Sequence, residues 1–421
     1  MKSSPVFLLL LFVLVGNTQA QSVASRAFRI ADSINQKSPG NEIAILHKMQ
    51  QIKPAEDDAM GQGIWPQSIM DYHSFVGNYD SALYYRQYMM RSYTKDEPNK
   101  INPQFLNGKE VKPLREVLPE LIVNKQVVMM NEAHYNPATR TTLINGLEEF
   151  KKQGFKALAV EGLYNYEDAE RLNEQGYPVV ESGYYTREPL FGELIRQACK
   201  KGFTLINYES QVECDNYEHP DNNHCNSFRD SIQAVNLAKW VKQNPGEKLL
   251  VWAGHDHILE KNKGSWKHLA QYFQEMTGID PLTIEQTNRI EYFFTDFEPS
   301  DYKTVAEQIT EPSVLFNSEN GYYGDLSGAD VQVFMPRYRV EGKRPQFYSL
   351  NGERKATKVN NIKPPFTYVQ AFYANETGHR VAADRINFNR YNTLYLYPGK
   401  YNIEYVSDKG ETIHTKTIEV R

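Results

Sequence analysis

The sequence predicts an α/β protein: a mainly parallel sheet flanked by helices, with an N-terminal helical segment before it and a C-terminal antiparallel β-sandwich domain after it. Three observations predict this. Between residues 114 and 294, short runs of continuous apolar residues alternate with helical stretches closed by glycine, the rhythm of strands buried on both faces and the helices that cover them. Before that region, apolar residues recur at helical spacing, as in Phe28, Ile30, Ile34 and Ile43, Leu46, Met49. After about Val331, β-branched and aromatic residues alternate with polar ones.

The chain starts with an expected export signal. Lys2 gives the positive end, Val6 to Val15 the apolar stretch, and Gly16 to Ala20 a small-residue cleavage region. Cleavage after Ala20 would leave a periplasmic or secreted protein, and the apolar run is too short to predict a transmembrane segment in the mature chain. The remaining length divides into a helical cap and linker (21–113), an α/β domain (114–297), and a linker with the β-sandwich-like domain (298–421). At 421 residues two or three domains are expected. A net charge of −5 supplies no basic face to neutralise phosphates, so nucleic acid is not an expected partner.

Within the cap, breaks fall at Pro39-Gly40, Pro54 and Gly61 to Pro66. Residues 94–113, rich in Asn, Lys and Pro, read as a linker. In the α/β region the strands read as Gln126–Met130, Ala157–Val160, Thr204–Tyr208, Lys248–Ala253 and Leu282–Ile284. The helices between them read as Pro137–Gln153, Pro189–Lys201, Phe228–Gln243 and Trp266–Met276. Glu298 to Asp330 reads as a connection. The tail segments "VQVFMPRYRV", "TLYLYPGKYNIEYV" and "ETIHTKTIEV" are joined by turns at Pro398-Gly399 and Asp408-Lys409-Gly410. The tail domain is expected to be scaffold or to contact a surface or carbohydrate.

In open parallel sheets, ligands bind beyond the carboxyl ends of the strands. The first strand ends at Glu132 and His134, the second at Glu161, the third at Glu209, the fourth at His255, Asp256 and His257, and the fifth at Glu285. Two chemistries suit such a set. A carboxylate-held imidazole acts as a general base on water while an arginine or second imidazole stabilises the developing charge; or Glu132, His134, Glu161 and His257 bind a divalent metal ion that acidifies its water. HExxH, GxSxG and Gly-rich phosphate-loop motifs are absent from the sequence. Tyr164, Tyr166, Tyr184 and Tyr185 read either as the lining of a pocket near Glu161 or as plain packing. Among the three cysteines, Cys214 and Cys225 share one polar loop and are expected to form a disulfide, whereas Cys199 reads as a small buried residue.

The segment "NEAHYNPATR" resembles the GE-x-H segment of the erythromycin esterase-like and ChaN-like superfamily, with Asn131 in place of the usual glycine. "ALAVEG" resembles the superfamily's second-strand glutamate, and Phe228 to Ile258 is similar to its arginine-led helix and "WAHNxH" strand end, although Gly254 stands where the esterases carry histidine. The resemblance implies Glu132 and His134 as the motif pair with His134 as base, Glu161 as acidic partner, Arg229 as the helix arginine, and His257 as the final histidine. Glu209, His255 and Glu285 are additional candidates. It also implies a hydrolase acting on an ester or related acyl bond of a small-molecule substrate. ChaN-like relatives bind haem, so a haem- or iron-ligand-binding protein using the same crevice is the alternative.

Overall fold

The computed structural model describes residues 23–54, 59–91, 98–211, 222–319, 321–324, 328–340, 342–359 and 365–421. The expected export signal and Cys214 lie outside the described residues. Four helices come first: α1 (Val23–Lys37), α2 (Glu42–Met49), α3 (Ala59–Phe75) and α4 (Tyr79–Arg91). Their apolar sides close on Ile45, Leu46, Ile69 and Phe75 and reach the C-terminal domain at Tyr368 and Val406. The α3–α4 turn backs directly onto that domain. A Cβ on Gly77 would stand 2.2 Å from the Arg385 carbonyl oxygen, and its φ of +76° suits glycine alone.

The central body follows as β1 (Glu110–Pro113), α5 (Leu114–Ile122), β2 (Val127–Glu132), α6 (Ala138–Lys152), β3 (Phe155–Val160), α7 (Tyr166–Gln175), α8 (Pro189–Lys200), β4 (Thr204–Asn207), α9 (Asn222–Gln243), β5 (Lys248–Gly254), α10 (Leu269–Thr277), β6 (Leu282–Glu285), α11 (Ser300–Ala306), β7 (Ser313–Asn317), β8 (Gly321–Tyr322) and β9 (Val331–Phe334). The strands form one sheet in the order β1-β7-β9-β6-β2-β5-β3-β4, with β8 beside β7. From β9 to β4 every pairing is parallel, while β1, β7 and β8 join antiparallel. The expected α/β architecture holds. No described helix is long and apolar enough to cross a membrane.

The sheet is wider than the 114–297 span expected for it. β1 lies in the expected linker, β7 and β8 in the expected connection, and β9 in the segment assigned to the tail. In β9 the alternation "VQVF" suggested a half-exposed strand, but all four residues are buried. Gln332 is tolerated there because its amide donates to the Glu285 carboxylate at 2.6 Å. Helix α10 starts at Leu269 rather than Trp266, since Trp266 pairs with Lys263 in an isolated bridge and its indole donates to Asp230.

Strand topology fixes where a site can form. The chain leaves β2 through α6 to reach β3 on one side, and leaves β5 through α10 to reach β6 on the other. Side chains of β2 divide accordingly: Val128 and Met130 pack with α6, Val127 and Met129 with α9 and α10. β2 and β5 are neighbours whose crossovers cover opposite faces, so the switch point beyond their carboxyl ends is where this topology places a ligand site.

The C-terminal domain consists of β10 (Lys355–Lys358), β11 (Tyr368–Tyr373), β12 (Asp384–Asn387), β13 (Thr393–Leu396), β14 (Gly399–Val406) and β15 (Thr412–Val420). A four-stranded antiparallel sheet, β12-β11-β14-β15, and the β10-β13 pair enclose Val369, Ala371, Leu394, Leu396 and Ile403. A buried ion pair clasps this domain to the central body. Arg196 of α8 donates to both carboxylate oxygens of Glu376, at 2.6 and 2.8 Å, and to the Val381 carbonyl at 2.8 Å. Removing one partner of such a pair strands the other charge, so Arg196→Ala is expected to lower stability by about 3–5 kcal/mol. Urea unfolding checks this, and a loss below about 1 kcal/mol would mean that the clasp contributes little.

Candidate active site

Four of the five strand ends deliver their polar side chains to one place. β2 ends in the buried Glu132, and His134 follows two residues later in the turn that leaves the strand. The His134 Nδ1 lies 2.8 Å from Glu132 Oε1. An ionised carboxylate only accepts hydrogen bonds, so Nδ1 carries a proton, and in the neutral form of the ring Nε2 is the nitrogen with the lone pair. That second nitrogen faces Gly254 at the end of β5. A Cβ placed on Gly254 would be 2.6 Å from His134 Nε2 and 3.2 Å from Glu161 Oε2. A glycine here lets the imidazole and the β3 carboxylate approach the same backbone, and the Gly254 amide donates to Glu161 Oε2.

Behind His134 sits a residue that the strand-end pattern does not single out. Arg140, in the first turn of α6 and fully buried, donates to Glu132 at 2.5 and 3.1 Å, to Glu188 at 3.0 Å and to the His134 carbonyl at 2.9 Å. Burial alone would raise the Glu132 pKa, but Arg140 and the His134 hydrogen bond outweigh it and hold the carboxyl below its ordinary range. Tyr185 covers one face of the His134 ring, stacked at 3.7 Å between centroids. Of the four tyrosines expected near Glu161, this one meets the site directly. Tyr184 packs on Tyr72 and Phe75, Tyr164 holds Arg187, and Tyr166 is exposed.

The other wall is a second network. Arg229, from the middle of α9, donates to Glu161 at 2.8 Å and to Glu209 at 2.8 and 2.5 Å. Its Nη1 lies 3.2 Å from His257 Nε2. His257 Nδ1 is 2.5 Å from Asp230, whose other oxygen accepts from the Trp266 indole at 2.8 Å. Burial works against a charged His257, yet Asp230 and Glu161 overcome it and raise the ring to about 9, despite the nearby Arg229. Glu161 is pushed up by burial but drawn well below the usual carboxylate range by His257, Arg229 and His134. Asp230 and Glu161 thus favour a proton on His257, beside the Arg229 guanidinium. Solvent reaches the site mainly at Arg229, whose side chain is 35% exposed, against 15% for His134 and 10% for His257.

His255 stands edge-on to His134 at 5.5 Å and against Tyr135. Burial, with His134 and Arg86 adding to it, pushes the His255 ring down to about 3, so it stays neutral. Glu285 does not join the cluster. Its Oε1 accepts from the Thr287 amide at 2.6 Å and hydroxyl at 2.5 Å and from Asn131 at 3.3 Å, while Gln332 takes Oε2. It supports the site from below, through Asn131, whose amide also donates to the His255 carbonyl at 2.5 Å. Cys225 is disulfide-bonded and Cys199 is a free, half-buried thiol; the expected partner, Cys214, lies outside the described residues.

The donor set does not fit a divalent metal ion. Glu132 and Glu161 each already hold a guanidinium, and no group of three or more His, Cys, Asp or Glu side chains arranged to hold a metal occurs among the described residues. The strand-end pattern missed Arg140, Asp230 and Asp71, the last a buried carboxyl of α3 electrostatically coupled to His134. Arg140 and Asp230 had a signal, since each lies within or beside a motif already singled out; Asp71 had none, because it comes from a different layer.

No protein-family model matches the sequence, and no curated protein matches it. Among solved structures, the chain is similar to the type III effector HopBA1, at 14% identity and a TM-score of 0.31, covering 47% of this chain and 96% of that one. It is also similar to RRSP, a MARTX toxin effector domain from Vibrio vulnificus, at 14% identity and a TM-score of 0.34 over 63% of this chain and 55% of that one. A third is the C-terminal region of Pasteurella multocida toxin, at 10% identity and a TM-score of 0.30 over 86% of this chain and 54% of that one. The chain thus spans about half the length of the latter two. Likeness at this level carries no chemistry from them to this chain.

Two outcomes follow from the geometry. A methyl group at position 254 has no room beside His134, so Gly254→Ala is expected to drive the imidazole away from Glu132, visible as displaced His134 ring resonances; unchanged resonances would refute the close approach. His257 keeps its proton in the folded state up to about 9, whereas an unfolded histidine loses it near about 6.5. The stabilisation is therefore full below the lower value and is lost as pH rises through the upper one. Between them stability should fall by up to about 1.4 kcal/mol per pH unit, and Asp230→Asn should flatten that slope in urea titrations.

Proposed function

We propose that the protein is an exported hydrolase that activates water with His134 to cleave an ester or related acyl bond. The observation that carries this reading is the 2.8 Å Glu132–His134 bond, which fixes the tautomer and aims Nε2 at the space shared by Glu161 and Gly254. In this reading Nε2 removes a proton from water as its oxygen attacks the acyl carbon, and the imidazolium so formed is stabilised by Glu132. Arg229 and protonated His257 face the position where negative charge grows on the acyl oxygen. Proton return from His134 to the leaving oxygen completes the cycle without a change in oxidation state. Glu161 and Glu209 hold Arg229 in place, so its guanidinium needs no reorganisation during the reaction.

This mechanism assigns no step to a metal ion, because the two arginines occupy the cationic positions. The superfamily resemblance at "NEAHYNPATR" agrees with the role given to His134, and the export signal expected from the sequence supports chemistry outside the cytoplasm. A haem-binding reading gains less support: one face of the His134 ring is covered by Tyr185.

Against a panel of activated esters, His134→Ala is expected to reduce kcat/KM by about 10²–10⁴-fold with an unchanged circular dichroism spectrum. Prolonged treatment of wild-type protein with a strong chelator should leave turnover intact. Full activity in the variant, or loss on chelation that zinc restores, would overturn the imidazole mechanism.

A further inference from the structure

The ring stacked on His134 belongs to a segment that the C-terminal domain holds. Tyr185 lies between α7 and α8, its centroid 3.7 Å from that of the imidazole and its plane tilted by 10°. The chain just ahead of it runs between two partners. On the side of the central body, Leu163 and Gly183 form an antiparallel bridge, and the Tyr164 amide donates to the Ser182 carbonyl at 3.2 Å. The passage is tight, since a Cβ on Gly183 would stand 2.3 Å from the Gly162 carbonyl oxygen. On the other side is the loop that joins β11 to β12, residues 374–383. Val179 bridges Arg380, the Val180 amide donates to the His379 carbonyl at 2.8 Å, and the Tyr177 hydroxyl lies 3.2 Å from that of Thr377. The same loop carries Glu376 and Val381, the partners of Arg196 on α8. It therefore grips the chain on both sides of Tyr185.

We propose that the loop between β11 and β12 sets Tyr185 over His134, so that Tyr185 is a positioning residue and the C-terminal domain a component of the site. Its effect on turnover rests on the reading of His134 as the base. Glu132 restrains one edge of the imidazole through the 2.8 Å bond to Nδ1, and a ring laid flat on it restrains its plane. The stacked ring also keeps water from that face and presents its own negative face to the imidazolium formed in the reaction. Both effects depend on where Tyr185 lies, because the attraction weakens as the rings slide or part. The neighbouring Tyr184 packs on Tyr72 and Phe75 of α3. Anchorage by that contact and the central body alone, without the loop, is the competing account.

Val180→Pro tests this in the full chain. It removes the amide donated to His379 yet suits the local backbone, because Val180 opens a short 3₁₀ turn and Val179 before it is extended, at φ −116° and ψ 167°. The His134 ring protons lie over the Tyr185 face, so its ring current should shift them upfield in the wild-type NMR spectrum. Tyr185→Leu should abolish that shift, Tyr185→Phe restore it, and Val180→Pro reduce it. In ester turnover, Val180→Pro and Tyr185→Leu are each expected to lower kcat about tenfold, within the reach of one desolvated cation–π contact, with KM changed less than about twofold. Should Val180→Pro not fold, the double variant Tyr177→Phe, Glu181→Gln decides on the same readouts, since it cuts the side-chain ties of this segment to Thr377 and His379. Loss of stability with the ring shift and kcat unchanged would overturn the proposal, as would a wild-type ring without the shift. If the shift responds as expected in a protein that hydrolyses no ester, the positioning stands and the hydrolase reading fails instead.

Discussion

The Arg140 guanidinium, buried without solvent contact, joins the end of β2, the first turn of α6 and the start of α8. Glu188, its second partner, also caps α8 by accepting the Phe191 amide at 2.8 Å. A charge taken this far from water is tolerable only if its donors find acceptors, and Arg140 makes four hydrogen bonds to two carboxylates and a carbonyl. In doing so it fixes the Glu132 carboxylate, and Glu132 fixes the imidazole. Remove this cation and two acids remain buried without compensation, so sheet, helix and site would lose their register together.

The second network solves the same problem nearer the surface. Arg229 is shared by Glu161 and Glu209, and His257 is held by Asp230, so the cations facing the crevice are anchored from behind. Gly254 lets the two networks meet, since any larger residue would fill the gap between His134 and Glu161. Each wall therefore supplies something different. One presents a neutral nitrogen with a lone pair, and the other a protonated ring beside a guanidinium.

Much of this was legible in the sequence. The five parallel strands and their carboxyl-end residues follow from continuous apolar runs, and four of the five tips converge as the switch-point geometry requires. Glu285 was misplaced because a strand-end carboxylate looks the same in sequence whether it faces a crevice or closes a buried net of amides. β9 was misread because Gln332, a buried polar residue with a dedicated partner, imitates the alternation of a half-exposed strand. Asp71 was invisible for a deeper reason: it lies on α3, outside the strands and their ends, and no local pattern links a helix in the N-terminal layer to the site.

Nitrogen-15 NMR of the His134 side chain in its neutral form, with the substrate absent, tests the heart of this description most directly. Glu132, held ionised by Arg140, requires the proton on Nδ1, so the expected spectrum shows a protonated Nδ1 and an unprotonated Nε2. A ring protonated at Nε2 alone would mean that Glu132 does not orient it, and the base would then be pointed the wrong way.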